Sequence, residues 1–298
     1  MATLYTQQDR NIRRTWLLFT VFFMVVVALG WFFSFLLNEA LFLYLALAFA
    51  LVMNIVSFWY SDKIVLKMSR AEPADEKTYR DLHNIVENLA ITAGLPKPKV
   101  YTINDPSPNA FATGRNKDKA VVAVTTGLLN LLNRSELEGV IAHELAHIGN
   151  RDILLATVAA VLVGFVVILS DMFLRLSLFR GRSSSKGGGV QVVLVLIGFL
   201  LAMLAPLFAT LIQLAISRRR EFLADASGAL LTRYPEGLAN ALEKISANNR
   251  PLATASQATA HMYIANPFGN KSSNNSKWRK LFMTHPPVEE RIKALGNR

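Results

Sequence analysis

The chain has 298 residues, a hydrophobic fraction of 52% and a formal net charge of +11 at pH 7. Its apolar residues are gathered into blocks rather than spread at core spacing, which excludes an ordinary soluble protein. It has no cysteine, which excludes disulfides and thiolate ligands, so a bound transition metal must rest on His, Glu or Asp.

Four blocks are nearly free of charge: Thr15–Leu37, Ala40–Tyr60, Ile153–Leu174 and Val190–Ile216. Each runs to about 20 residues or more, enough to cross a hydrocarbon core of about 30 Å as a helix. The first follows Arg10, Arg13 and Arg14 as a signal peptide would. It is too long for the apolar part of one, and no small-residue cleavage site precedes the next block, so it reads as a retained anchor. The chain divides into a tail and first hairpin over 1–60, a soluble part over 61–152, a second hairpin over 153–216 and a second soluble part over 217–298. Neither soluble part alone would hold a large core, so the two are expected to fold together.

The basic residues explain themselves by topology. Arg10, Arg13 and Arg14 precede the first block, Lys63, Lys67 and Arg70 follow the second, and the Asn38-Glu39 turn between carries no positive charge. The positive-inside rule puts the N-terminus and the segment after Tyr60 in the cytoplasm. A nucleic-acid surface would interleave basic and exposed aromatic residues on one face, and none is seen, so no nucleic-acid partner is expected. The second pair is less regular. Arg218, Arg219 and Arg220 argue for a cytoplasmic end, yet the connecting loop holds Arg175, Arg180, Arg182 and Lys186. That hairpin either crosses against the rule or enters the membrane partly and returns. Ser183–Ser185 and Gly187–Gly189 mark its loop as flexible.

In chain order, Phe111–Gly114 and Ala120–Thr125 read as two arms of a hairpin turning through Arg115–Lys119. Then Ser135-Glu136-Leu137-Glu138 reads as a capping box with Ser135 at N-cap and Glu138 at N3, opening a helix that carries through His143-Glu144-Leu145-Ala146-His147. Four residues apart, His143 and His147 share a helix face and can reach one cation. Glu144 lies beside that cation, placed to take a proton from water.

A catalytic zinc site wants a third protein ligand and one open position. Glu221, in Arg218-Arg219-Arg220-Glu221-Phe222-Leu223-Ala224-Asp225, fills that need on a helix continuing from the fourth block. Asp225, one turn later, could hold a ligand histidine by its other ring nitrogen. The intervening hairpin returns the chain to the side it left, so His147 and Glu221 can meet. One zinc per chain is the expectation. His83 and His261 are lone histidines read as structural. Ala247–Lys280, rich in Asn, Ser, Thr, Ala and Gln, reads as a flap or loop over the cleft. Past it, His285-Pro286-Pro287 opens a short helix with Glu289 and Glu290 early and Arg291 and Lys293 late, in agreement with the helix dipole. His285 has two readings, a hydrogen bond to a tetrahedral intermediate or a brace of the site.

HELAH at His143–His147 with Asn150-Arg151-Asp152 after it, Asn109-Ala110-Phe111-Ala112-Thr113-Gly114, EFLAD at Glu221–Asp225 and HPPVEERI at His285–Ile292 together resemble the HtpX-type integral-membrane zinc metalloproteases. That family lies in the gluzincin group that also holds the CAAX prenyl endoprotease. The resemblance implies an α+β, mainly helical, multi-span membrane protein whose gluzincin-like protease domain bears a small β-sheet. It implies His143, His147 and Glu221 as zinc ligands, Glu144 as general base, Asp225 behind a ligand, and Asn109, Ala110, Phe111, Ala112, Thr113 and Gly114 near the substrate cleft. His285 and Arg291 are further candidates. It also implies a stress-linked quality-control endopeptidase of the bacterial inner membrane, its active site cytoplasmic, acting on membrane-protein or unfolded polypeptide substrates. An edge strand at Phe111–Gly114 could pair with an extended substrate. A zinc-binding scaffold or transporter without catalysis is the alternative, although a transporter would want ionisable residues in mid-span. An intramembrane protease is disfavoured, because polar residues flank both ligand segments. His147 lies only about 9 Å of helix before Ile153, so the zinc is expected near the membrane surface.

Overall fold

The computed structural model describes residues 4–180, 218–248, 250–256, 258–269 and 286–296. The fourth apolar block, the Gly187–Gly189 loop and His285 lie outside the described residues. The first block lies in α1 (Leu4–Leu37) and the second in α2 (Leu41–Met68), and both are long and apolar enough to cross a membrane. Their large apolar side chains, Trp31, Phe35 and Leu45 among them, remain exposed, as lipid-facing positions would be. Each helix overruns its block on one side. α1 begins about three turns before Thr15, and α2 continues past Tyr60 through Lys67; both overruns are built into the soluble part.

A mixed four-stranded sheet anchors that soluble part. In spatial order it runs β1 (Ala71–Pro73), β2 (Lys99–Ile103), β4 (Val121–Thr125) and β3 (Ala110–Thr113). β1 and β2 are antiparallel, β2 and β4 parallel, β4 and β3 antiparallel. The hairpin read from the sequence is present, with Thr113 opposite Val121 and a 3₁₀ turn at Lys117–Lys119. β4 is buried along its whole length because both faces are covered, which is why it reads as an unbroken apolar run. Val122 and Val124 face the larger core beside α3 (Arg80–Thr92) and α5 (Arg134–Gly149). Val121 and Ala123 face the second core, with Val65 of α2 and Val161 of α6 (Asp152–Arg180).

The larger core joins the two soluble parts: Ile141 and Leu145 of α5 share it with Ala229 of α7 (Arg218–Thr232), Leu242 of α8 (Pro235–Ala247) and Leu295 of α9 (Val288–Gly296). A third core joins α1 and α2 to α6 through Phe22, Met53 and Leu162. α5 is buried on nearly all sides, as its lack of amphipathic pattern requires. Its start differs from the sequence expectation. The capping box is Asn133 with Glu136: Glu136 N–H donates to Asn133 Oδ1 at 3.0 Å and Asn133 N–H to Glu136 Oε2 at 2.9 Å. Asn133 starts the helix two residues earlier, and Glu136 has Lys244 of α8 at 2.8 Å, which favours this box over the Ser135–Glu138 one. Glu138 pairs with Arg134 instead.

Expected as a flap or loop over the cleft, the described residues 250–256 and 258–269 are packed. Ile264 N–H donates to Ala110 O at 3.0 Å, Tyr263 packs edge-on against Phe111, and Leu252, Met262 and Ile264 are buried. Its polar composition concealed a few apolar anchors that wedge between the sheet and α6. The rest of that expected flap, from residue 270 on, lies outside the described residues.

α5 and α7 approach closely because Gly228 faces the α5 backbone, where a Cβ would lie 2.9 Å from His143 N. Gly228→Ala is expected to destabilise the fold. The gain in helix propensity of about 1 kcal/mol is outweighed by forcing α5 and α7 apart, an overpacking cost of about 1–3 kcal/mol. Thermal unfolding in detergent would show a lower Tm, and an unchanged or raised Tm would contradict this packing.

Candidate metal centre

The two histidines stand one turn apart on α5 with Nε2 atoms separated by 3.2 Å. α7 crosses them and delivers Glu221, whose carboxylate oxygens lie 3.8 Å from His143 Nε2 and 3.7 Å from His147 Nε2. Tetrahedral zinc with bonds of about 2.0–2.1 Å separates neighbouring N and O ligands by roughly 3.3 Å, so these three atoms surround a space of the right size. Both rings are aimed by their other nitrogen. His147 Nδ1–H donates to Asp152 Oδ2 at 3.0 Å, and His143 Nδ1 stands 2.9 Å from Asp225 Oδ1. Each carboxylate fixes a tautomer that leaves Nε2 with its lone pair facing the third ligand.

Charge supports the same fit. Four carboxylates, Glu144, Asp152, Glu221 and Asp225, stand around the rings with two buried guanidiniums, Arg220 and Arg291; a dication closes the difference. Burial lowers His147, yet the Asp152 hydrogen bond and the charges of Glu221, Asp152 and Glu144 more than reverse this and raise it to about 9. A proton there occupies the position a cation would take. Burial lowers His143, its Asp225 partner only partly opposing. Burial raises Glu144 to about 7, against the charges of His147 and Arg291 and a hydrogen bond from the Ala112 N–H. Burial would raise Asp225, but Arg291 overrides it with its charge and a two-pronged contact, Nε to Oδ2 at 2.8 Å and Nη2 to Oδ1 at 2.6 Å, and brings it to about 2.

Of the remaining candidates, Arg291 reaches the site from α9 and is 1% exposed. Asn109 is a brace: its side chain accepts from Ala265 N–H and donates to Ala265 O, closing the start of β3. Ala110 O is taken by Ile264 N–H, and Ala112 lines the cavity in front of the histidines. Two residues passed over in the sequence matter here. Asp152 was read as part of a polar break before the apolar run, and it holds a ligand histidine. His261, read as a lone structural histidine, lines the same cavity and meets Ala156 O of α6 at 2.9 Å. The spacing His147-x₄-Asp152 was the one available signal for the first; nothing local marked the second.

Comparison with known proteins agrees with the geometry. The profile of peptidase family M48 matches residues 76–298. The Protease HtpX homolog of Caldanaerobacter subterraneus subsp. tengcongensis is 49% identical over 98% of this chain and 97% of its own length. The Protease HtpX homolog of Pyrococcus abyssi is 52% identical over 84% of each. The crystal structure of S. mikatae Ste24p superposes with a TM-score of 0.50 at 20% identity, over 98% of this chain and 67% of that one, a likeness of fold.

Arg291→Met is expected to leave Asp225 as a buried carboxylate without its partner, a loss of about 3–5 kcal/mol. Denaturation in detergent would register it. A variant as stable as the wild type would show that the Arg291–Asp225 pair does not brace the centre.

Proposed function

This chain belongs to peptidase family M48 and is a membrane-bound zinc metallopeptidase, and from that premise we propose that His143, His147 and Glu221 hold the zinc while Glu144 is the general base. Two carboxylate-fixed imidazoles converging on Glu221, with a buried carboxyl beside them, carry this reading. When bound, zinc supplies a Lewis acid that brings water toward ionisation near neutral pH and polarises a carbonyl. Glu144 then takes a proton from the attacking water as its oxygen bonds to the scissile carbon. It delivers that proton to the amide nitrogen as the C–N bond breaks. A carboxyl held near 7 by burial can both accept and release at neutral pH, and zinc's charge would lower it toward the accepting form.

The substrate is a polypeptide. We place its extended main chain beside Ala112 and Thr113, the part of β3 next to Glu144, and the following Gly114, with Asn109 and Ala110 fixing the strand rather than binding. Phe111 is turned into the opposite core. The division into a first hairpin, two halves of one catalytic domain and a second hydrophobic hairpin is kept as part of this proposal. The start of α1 and the end of α2, both basic, lie on the side of the metal centre, and by the positive-inside rule that side is cytoplasmic, in a bacterial inner membrane. Substrates are then cytoplasmic loops and tails of damaged or misfolded membrane proteins, cut under stress. The transporter alternative lacks support: Thr15–Leu37 and Ala40–Tyr60 contain no Asp, Glu, Lys, Arg or His to carry a solute across.

Glu144→Gln should bind one zinc and cleave an unfolded model protein at least about 10²–10⁴-fold more slowly than the wild type, and chelation should abolish wild-type cleavage. Undiminished cleavage by Glu144→Gln would end the assignment. The side of the membrane is tested separately, because a cysteine-free chain accepts single-cysteine labelling. Glu39→Cys in intact cells should react with an impermeant maleimide, and Lys97→Cys should react only after the membrane is opened. The reverse pattern would overturn the orientation.

A further inference from the structure

The first membrane helix reaches into the metal centre. About a turn before its apolar block, α1 lays Gln8 and Asn11 against the junction of α5 and α6. Gln8 Nε2 donates to Gly149 O at 2.8 Å, at the last turn of the histidine helix. Asn11 is 1% exposed, and its one amide touches three groups. Its Nδ2 donates to Asn150 O at 3.1 Å and to Asp152 Oδ1 at 2.6 Å. Its Oδ1 accepts from Arg220 Nη1 at 3.1 Å. Asp152 Oδ2 is the atom that holds His147 Nδ1, and Arg220 directly precedes Glu221. Asn11 thus ties the partner of one candidate ligand to the neighbour of another, across 209 positions of sequence.

Chemistry explains why an amide stands here. Asp152 already has Arg220 Nη1 at 3.6 Å as its counter-charge, so the pair leaves no unmatched charge of its own for a further charged group to meet. An amide donates to the carboxylate and accepts from the guanidinium with no net charge, and it meets both with one rigid planar group. The junction also needs a brace. α5 and α6 meet at 86° through Arg151 at φ +57°, a left-handed conformation that a non-glycine residue adopts only when its surroundings hold it. Without Asn11, Asp152 Oδ1 would lose its shortest contact at that turn, and the carboxylate that orients the His147 ring would be less firmly fixed.

We propose that Asn11 is a positioning residue of the metal centre, so that the first membrane helix is a working part of the active site as well as an anchor. The M48 profile begins at residue 76, so this contribution comes from outside the region that defines the family. The proposal rests on the reading of His147 as a zinc ligand.

The test uses the full chain in detergent, comparing wild type, Asn11→Leu, Asn11→Ala, Thr20→Val and His147→Ala. Thr20 lies on the exposed side of α1, bonded only to Trp16 O, and controls for general damage to the hairpin. Zinc affinity is measured by chelator competition, and the visible spectrum of the cobalt-substituted protein reports ligand geometry. Loss of a group that directly orients a ligand weakens metal binding about 10–100-fold; Asn11, one bond further out, is expected to weaken it about tenfold in both variants and to shift the cobalt bands, with Thr20→Val unchanged. Should Asn11→Leu fail to fold, Asn11→Ala, which leaves room for water, carries the comparison. Wild-type affinity and spectrum in the Asn11 variants, with zinc lost in His147→Ala, would overturn the proposal alone. Wild-type affinity in His147→Ala would overturn the ligand reading beneath it. Weakening in Thr20→Val equal to that in the Asn11 variants would also overturn it, by assigning the effect to the hairpin as a whole.

Discussion

Two imidazoles on one helix can share a cation only if both rings are turned so that Nε2 faces inward, and a histidine side chain does not adopt that rotation unaided. Here a carboxylate behind each ring imposes it, Asp225 behind His143 and Asp152 behind His147. Much of the architecture follows from keeping those two acids in place. Asp225 arrives on α7 and is gripped by Arg291 from α9; Asp152 opens α6 and is gripped by Asn11 from α1. Helices from the two ends of the chain converge on one pair of rings. This gives the split soluble domain a physical reason, since ligands and their supports come from both halves.

Such an arrangement is not an efficient way to stabilise a fold. Burying Arg291 and Asp225 at 1–2% exposure forfeits hydration that their mutual attraction only roughly restores, and an apolar pair of similar volume would serve stability as well. What the charges provide is geometry. A fork-shaped guanidinium holds a carboxylate by two bonds and leaves it one orientation, which then fixes the ring. The same carboxylates create the excess of negative charge that raises His147 and favours a dication over a bare pair of bases.

Local chemistry made part of this legible in the sequence. The His143–Glu144–His147 spacing, the turn separating Glu221 from Asp225, the β3–β4 hairpin and the first two apolar helices all depend on residues close along the chain. Readings that depended on distant partners went astray. The cap fell on Ser135 because Ser-x-x-Glu is a valid pattern, but so is Asn133-x-x-Glu136, and only Lys244, 108 positions away, distinguishes them. The segment 250–269 looked loose because most of its residues are polar, while its order comes from Tyr263, Met262 and Ile264 meeting the sheet and α6. Asp152 looked like part of a polar break before the apolar run because its histidine lies across a bend that no sequence pattern announces.

That bend also settles how a water-dependent site can stand so near lipid. Continued straight, α6 would carry the axis of α5 into the apolar run, and the histidines would lie on the line of a spanning helix. The 86° turn at Asn150–Asp152 lets α5 run inside the soluble core while α6 packs beside α1 and α2. α5 is no piece of a span: it is capped by Asn133 and Glu136, carries an Arg134–Glu138 pair on its exposed side, and shares its core with α3, α8 and α9. A left-handed Arg151 at the corner is strained on its own terms. It persists because Gln8 and Asn11 take up the Gly149 and Asn150 backbone carbonyls just before it. The membrane helix that fixes this corner therefore also sets where the two histidines stand relative to α1 and α2.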